Sequence, residues 1–150
     1  MKRIRYNNKR KRNKGKFKKG FYIPINEEKY KQPTDKTMNK YQYPEYRSSW
    51  ELFYMKMLDN SDKVEYWGTE SFHIPYFDSV KMKWRRYFPD FFIKLTDGTK
   101  LIHEIKPSSQ QKQQLNIDKW QAAENYCKQK GIIFQVITEK HLQQWGMKLK

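Results

Sequence analysis

Thr96-Asp97-Gly98-Thr99 lies between two apolar segments, and it dictates local topology more firmly than any other stretch of the chain. An Asp-Gly pair tolerates positive φ and suits a tight hairpin turn. The flanking segments, 84–95 and 100–105, are rich in aromatic and β-branched residues and read as antiparallel strands. Segments 64–67 and 71–76 have the same character. Helical periodicity brackets this strand region. Ser48-Ser49-Trp50-Glu51 matches a capping box, and Trp50, Phe53, Tyr54, Met57 and Leu58 continue at helical spacing to an end near Asp59-Asn60. Residues 117–130 return to that spacing through Trp120, Ala123 and Cys127, with Gly131 suited to a left-handed helix end. Residues 132–137 then read as a buried strand, and Thr138 as the cap of a short helix over Leu142 and Trp145. The expected order is helix, three or four strands, helix, strand, helix, an α/β chain.

Charge is distributed as unevenly as periodicity. Of 150 residues, 32 are Lys or Arg and 16 Asp or Glu, a net charge of +16. The first twenty carry eleven of the basic residues and no acid, leaving 21 basic against 16 acidic, a net +5, in the other 130. Residues 1–20, including Lys2, Arg3, Arg5, Lys9, Arg10, Lys11 and Arg12, are therefore expected to form a solvated arm that neutralises phosphates and releases counterions. Asn7, Asn8, Asn13, Gly15 and Gly20 interrupt it, unlike the alternating faces of a membrane-surface helix. No apolar run approaches the roughly 20 residues of a membrane span, and the arm lacks the apolar stretch of a secretory signal, so a soluble protein is expected. Residues 21–46, with Pro24, Pro33 and Pro44, read as an irregular segment wrapping a single domain, 21–150. The single cysteine, Cys127, excludes an intramolecular disulfide and a Cys-rich zinc site. His73, His103 and His141 lack zinc-ligand spacing, and no glycine-rich phosphate loop is present.

The chemistry converges on the hairpin. Asp90 follows Pro89 in one strand segment, and Glu104-Ile105-Lys106 lies fourteen residues later in its partner. Residues two apart on a strand share a face, so Glu104 and Lys106 point one way and the hairpin brings Asp90 beside them. Two convergent carboxylates make a hard-oxygen site suited to Mg2+, and an adjacent ammonium can orient an attacking water. A structural Glu104–Lys106 ion pair is the plainer alternative. Glu27-Glu28-Lys29 repeats the Glu-x-Lys pattern in a polar, Pro-flanked setting, where no apolar strand demands that the charges be compensated. Glu51 is a third candidate carboxylate, although its capping position explains it equally well. Arg47, Arg85 and Arg86 suit phosphate contacts, and Gln121 on the following helix is a candidate substrate contact; all four are equally readable as surface residues.

Three blocks, Tyr46-Arg47-Ser48-Ser49-Trp50-Glu51, Tyr87-Phe88-Pro89-Asp90-Phe91-Phe92 and His103-Glu104-Ile105-Lys106-Pro107, resemble the head completion nucleases of tailed bacteriophages. That family belongs to the PD-(D/E)xK superfamily and is related to transposon-end-cleaving endonuclease subunits. The resemblance runs from about residue 20 to the end. It implies a restriction-endonuclease-like αβββαβ core, a mixed central sheet flanked by helices, with Glu51, Asp90, Glu104 and Lys106 as the active-site set. It also implies Mg2+, with Mn2+ as a substitute, at Asp90, Glu104 and Glu51. The implied role is processing of double-stranded DNA ends on filled phage heads before tails join. Head or neck proteins would be partners, and the cytoplasm of the host bacterium the location. The transposon relatives can have Gln where this chain has Glu104, so the full acidic set favours an active enzyme. The alternatives are a transposon-type end-cleaving endonuclease and a non-enzymatic DNA-binding or head-assembly protein on the same fold.

Overall fold

The computed structural model describes residues 19–33, 42–70 and 72–148. The basic residues Lys2, Arg3, Arg5, Lys9, Arg10, Lys11 and Arg12 lie outside the described residues.

The irregular start of the domain is tied down by one carboxylate. Strand β1 (Gly20–Phe21) pairs antiparallel with β2 (Glu45–Tyr46), and among the described residues between them lies a 3-10 turn, Glu27–Lys29. Helix α1 (Ser49–Asn60) begins as its sequence requires, with the Ser48 side chain accepting the Glu51 N–H at 3.1 Å. Near its other end Asp59 is fully buried. Its carboxylate accepts the Tyr22 hydroxyl and the N–H groups of Ile25 and Asn26, at 2.7 and 3.0 Å for the two backbone donors. Lys29 Nζ adds bonds to the carbonyls of Asp59 and Ser61. A segment without periodicity of its own is thereby ordered by donors that the buried carboxylate needs.

Five strands follow α1: β3 (Val64–Thr69), β4 (Ile74–Asp78), β5 (Lys83–Tyr87), β6 (Phe91–Leu95) and β7 (Lys100–Ile105). After them come α2 (Gln114–Lys130), β8 (Ile133–Ile137) and α3 (Glu139–Gln144). The main sheet has the order β3-β6-β7-β8, antiparallel except for the parallel β7–β8 pair. The Asp97-Gly98 turn joins β6 to β7, with Gly98 at φ 93°. Strands β4 and β5 form a separate antiparallel hairpin.

Three expectations change. The single strand expected over 84–95 is two strands in different sheets, broken at Pro89, which has no N–H to donate to a ladder. That raises the strand count between the helices to five, and the segment expected at 71–76 is shifted to Ile74–Asp78. The strand expected to be buried over 132–137 is instead at the sheet edge, with Ile133 55% exposed.

Helix α1 and α3 pack on one face, where Tyr54, Met55, Leu58 and Leu142 meet Trp67, Phe91, Ile93 and Ile137. On the other face α2 and the β4–β5 hairpin bury Ile74, Tyr76, Tyr87 and Ala123, with Phe134 of β8 packed against them. This is a mixed sheet flanked by helices, the restriction-endonuclease-like architecture that the resemblance implies. No described helix is long and apolar enough to cross a membrane.

Candidate active site

The break at Pro89 is what positions Asp90. Freed from β5 and standing just before β6, Asp90 turns its carboxylate to the edge of β7 and accepts the Ile105 N–H at 3.0 Å. Ile105 separates Glu104 from Lys106, so this bond holds Asp90 between them. Glu104 is 5% exposed and receives a hydrogen bond from the Tyr87 hydroxyl at the base of the β4–β5 hairpin. Lys106 is held by the ladder on the other side, its N–H bonded to the Ile137 carbonyl at 2.9 Å. Its ammonium favours ionisation of both Asp90 and Glu104.

The carboxyls are under electrostatic stress. Burial pushes Asp90 up to about 6, with the Ile105 hydrogen bond opposing the shift and the charge of Glu70 adding to it. Glu51 is pushed up to about 7, by burial first and then by Asp90, against the pull of Arg47 and Ser48. Burial also raises Glu104, opposed by Lys106 and Lys119. The indole N–H of Trp120 lies close enough to favour the Glu104 anion but falls short of a formed hydrogen bond. The charge of Asp90 thus reaches Glu51 at its helix terminus, where the Glu51 N–H bonds Ser48.

Three neighbours escaped the sequence reading. Glu70, just past β3 with φ 46°, faces Asp90 and Glu104 electrostatically and pairs with Arg47 at 2.9 Å. Nothing in its spacing marks it. Tyr87 is the ring that orients Glu104. Lys119 stands one helical turn before Ala123, on the face that α2 buries, and its ammonium lies 5.7 Å from the Tyr87 ring centroid. Burial lowers the pKa of Lys119, and the charge of Glu104 counteracts that. A cation on an otherwise apolar helical stripe was the available signal.

The remaining candidates are spread around this cluster. Arg47 is exposed except for its Glu70 pair. Arg85 is committed to the buried Asp78 of its own hairpin at 3.1 Å, and Arg86 lies over the Phe88 ring. Gln121 is exposed, two residues beyond Lys119 and therefore about 200° around the helix axis. The competing Glu27-Glu28-Lys29 triplet forms the exposed 3-10 turn, with Lys29 bound to backbone carbonyls.

The donor set suits a hard divalent cation, since carboxyls that burial drives toward neutrality would be returned to their anionic form by one. Among the described residues no three acidic, His or Cys side chains converge closely enough to hold an ion as they stand. The set is a group of donors, not a closed cage.

Residues 61–139 match a family described as TnsA-like endonuclease N terminal. A head completion nuclease of Enterobacteria phage T4 is 31% identical over 151 aligned positions, covering 86% of this chain and 96% of that protein. The first match includes Asp90, Glu104, Lys106 and Lys119, while Glu51 precedes it.

Proposed function

We infer, from the premise that this chain belongs to the TnsA-like endonuclease family and is a DNA endonuclease, that it hydrolyses DNA ends with Mg2+ during phage head completion, after packaging and before tails join. The phage relative spans most of both chains, whereas the TnsA-like match covers residues 61–139, which favours head completion over transposon-end cleavage. The reaction would take place in the cytoplasm of the host bacterium, at the filled head, with head or neck proteins as partners.

The observation that carries the mechanism is the Asp90 carboxylate bonded to the Ile105 N–H, between Glu104 and Lys106. Asp90 and Glu104 would hold Mg2+, or Mn2+ in its place, with Glu51 supporting them. The ion, when bound, supplies positive charge to the phosphate oxygens and makes water easier to deprotonate. Lys106, as an ammonium, orients and polarises the attacking water. Tyr87 fixes the Glu104 rotamer, and Lys119 adds positive charge beside Glu104. Arg47 and Arg86 are exposed enough to contact DNA phosphates, and the arm at residues 1–20 supplies salt-dependent, sequence-independent grip.

Cleavage of linear and supercoiled duplex DNA in Mg2+ tests this, comparing the wild type with Asp90→Ala and Lys106→Ala, each verified as folded. Metal-dependent cutting lost in both variants is the expected result. Equal cutting by all three proteins would remove this site from the reaction.

A further inference from the structure

The β4–β5 hairpin presents to solvent what a hairpin ordinarily hides. Trp84 is 71% exposed, Met82 71%, Val80 65% and Phe77 39%. Phe77 and Trp84 are directly opposed in the ladder, and their rings meet edge to face with centroids 5.7 Å apart. The turn that carries these side chains is held firmly. Buried Asp78 accepts the N–H groups of Val80 and Lys81 at 2.9 and 3.0 Å, and Asp118 of α2 accepts the Ser79 N–H at 2.8 Å. Met82 is kept at φ 54°, an unfavourable conformation for an unbranched non-glycine residue. A backbone so constrained, bearing apolar groups in water, is a presented surface and not a frayed loop.

The charge around it selects the partner. Lys81, Lys83 and Arg86 are exposed on the same hairpin, Lys83 next to Trp84 and Arg86 two residues beyond it, and they are the exposed charged side chains from Ile74 to Tyr87. Aromatic faces interleaved with cations are how sequence-tolerant single-strand binders hold bases and backbone together. The same hairpin reaches the candidate active site at its base, where Tyr87 bonds Glu104.

We propose that the Phe77–Trp84 platform stacks unpaired bases of the DNA substrate, so that the enzyme distinguishes frayed or branched ends from continuous duplex. This rests on the endonuclease reading and specifies its substrate. Trp84 is three residues from Tyr87, about 10 Å along the strand, and an odd residue separation puts the two on opposite hairpin faces. The stacked base therefore flanks the cut and is not the nucleotide being cut. At about 3.4 Å per nucleotide it lies at least roughly three nucleotides away.

Binding in EDTA separates recognition from cleavage. The probes are a fluorescein-labelled 20-base-pair blunt duplex and the same duplex with a six-nucleotide unpaired fork at one end. The wild type should prefer the fork by about tenfold, the loss typical of removing one stacking ring. Trp84→Ala should bind the fork no better than the blunt duplex, with blunt binding unchanged, and Trp84→Phe should restore the preference. An unchanged melting temperature is expected, because Trp84 is exposed. Equal wild-type affinity for both probes, or an equal loss on both in Trp84→Ala, overturns the proposal and leaves the hairpin to a protein partner. Cutting is scored separately in Mg2+. An enzyme that cuts without fork preference sinks only the platform, and one that prefers the fork without cutting sinks only the reaction.

Discussion

Asp90, Glu104 and Lys106 could be brought together on paper because strand alternation and one hairpin turn act over a few residues. Lys119 could not, since its proximity to Glu104 depends on how α2 lies across the sheet. Gln121 is the candidate that the sequence offers on that helix, and the fold turns Lys119 toward the cluster instead. Replacing Lys119 by Met removes a positive charge beside Glu104 while keeping the stem that packs over Tyr87. We predict a fall in kcat of about a hundredfold, the scale of losing one group that stabilises developing charge. KM and melting temperature should change little, and Gln121→Ala should cut like the wild type. Steady-state cleavage of the forked duplex measures both. Comparable losses in the two variants would mean that α2 contributes only generic surface charge.

At the scale of elements, boundaries were legible where local chemistry sets them. Ser48 and Gly131 mark helix ends because a cap or a left-handed residue acts within one turn. The aromatic run over 84–95 hides the boundary between β5 and β6, although Pro89 within it is the correct stop signal. The ordering of residues 20–30 was illegible for a different reason. Its organiser, Asp59, looks in sequence like an ordinary polar helix end, and only the fold delivers Tyr22, Ile25 and Asn26 to it. Asp59→Ala strands those donors without an acceptor. The expected cost is about 2–4 kcal/mol in urea unfolding. The variant should also gain early proteolytic cleavage between residues 20 and 33. Destabilisation without that local sensitivity would argue that Asp59 supports α1 and not the segment across it.

For the whole molecule, stability against pH reports whether the acidic cluster behaves as one unit. A carboxyl with a raised native pKa binds its proton more tightly when folded, so its contribution to stability declines as pH rises from the unfolded value through the native one. For Glu51 that window runs from 4.5 to about 7, and for Asp90 from 3.8 to about 6. His103, held near 4 by burial and by His141, works in the opposite direction, because the unfolded chain takes up its proton below 6.5. The wild-type profile alone therefore mixes two opposing slopes. Comparison with Glu51→Gln isolates one of them, since the amide mimics the protonated acid and leaves His103 in place. We predict equal stabilities near pH 4.5 without metal, and a variant more stable than the wild type by about 2 kcal/mol at pH 8, allowing for partial solvent screening of Glu51. Millimolar Mg2+ at pH 8 should raise the wild type more than the variant, because an ion bound only by the native state restores what the buried charges cost. Urea titrations at pH 4.5, 6 and 8, with and without Mg2+, give all of these differences. A gap between the two proteins that is the same at every pH would mean that the Glu51 carboxyl is solvated and takes no part in the cluster. A pH-dependent gap that Mg2+ leaves untouched would keep Glu51 in the cluster but remove it from the metal site.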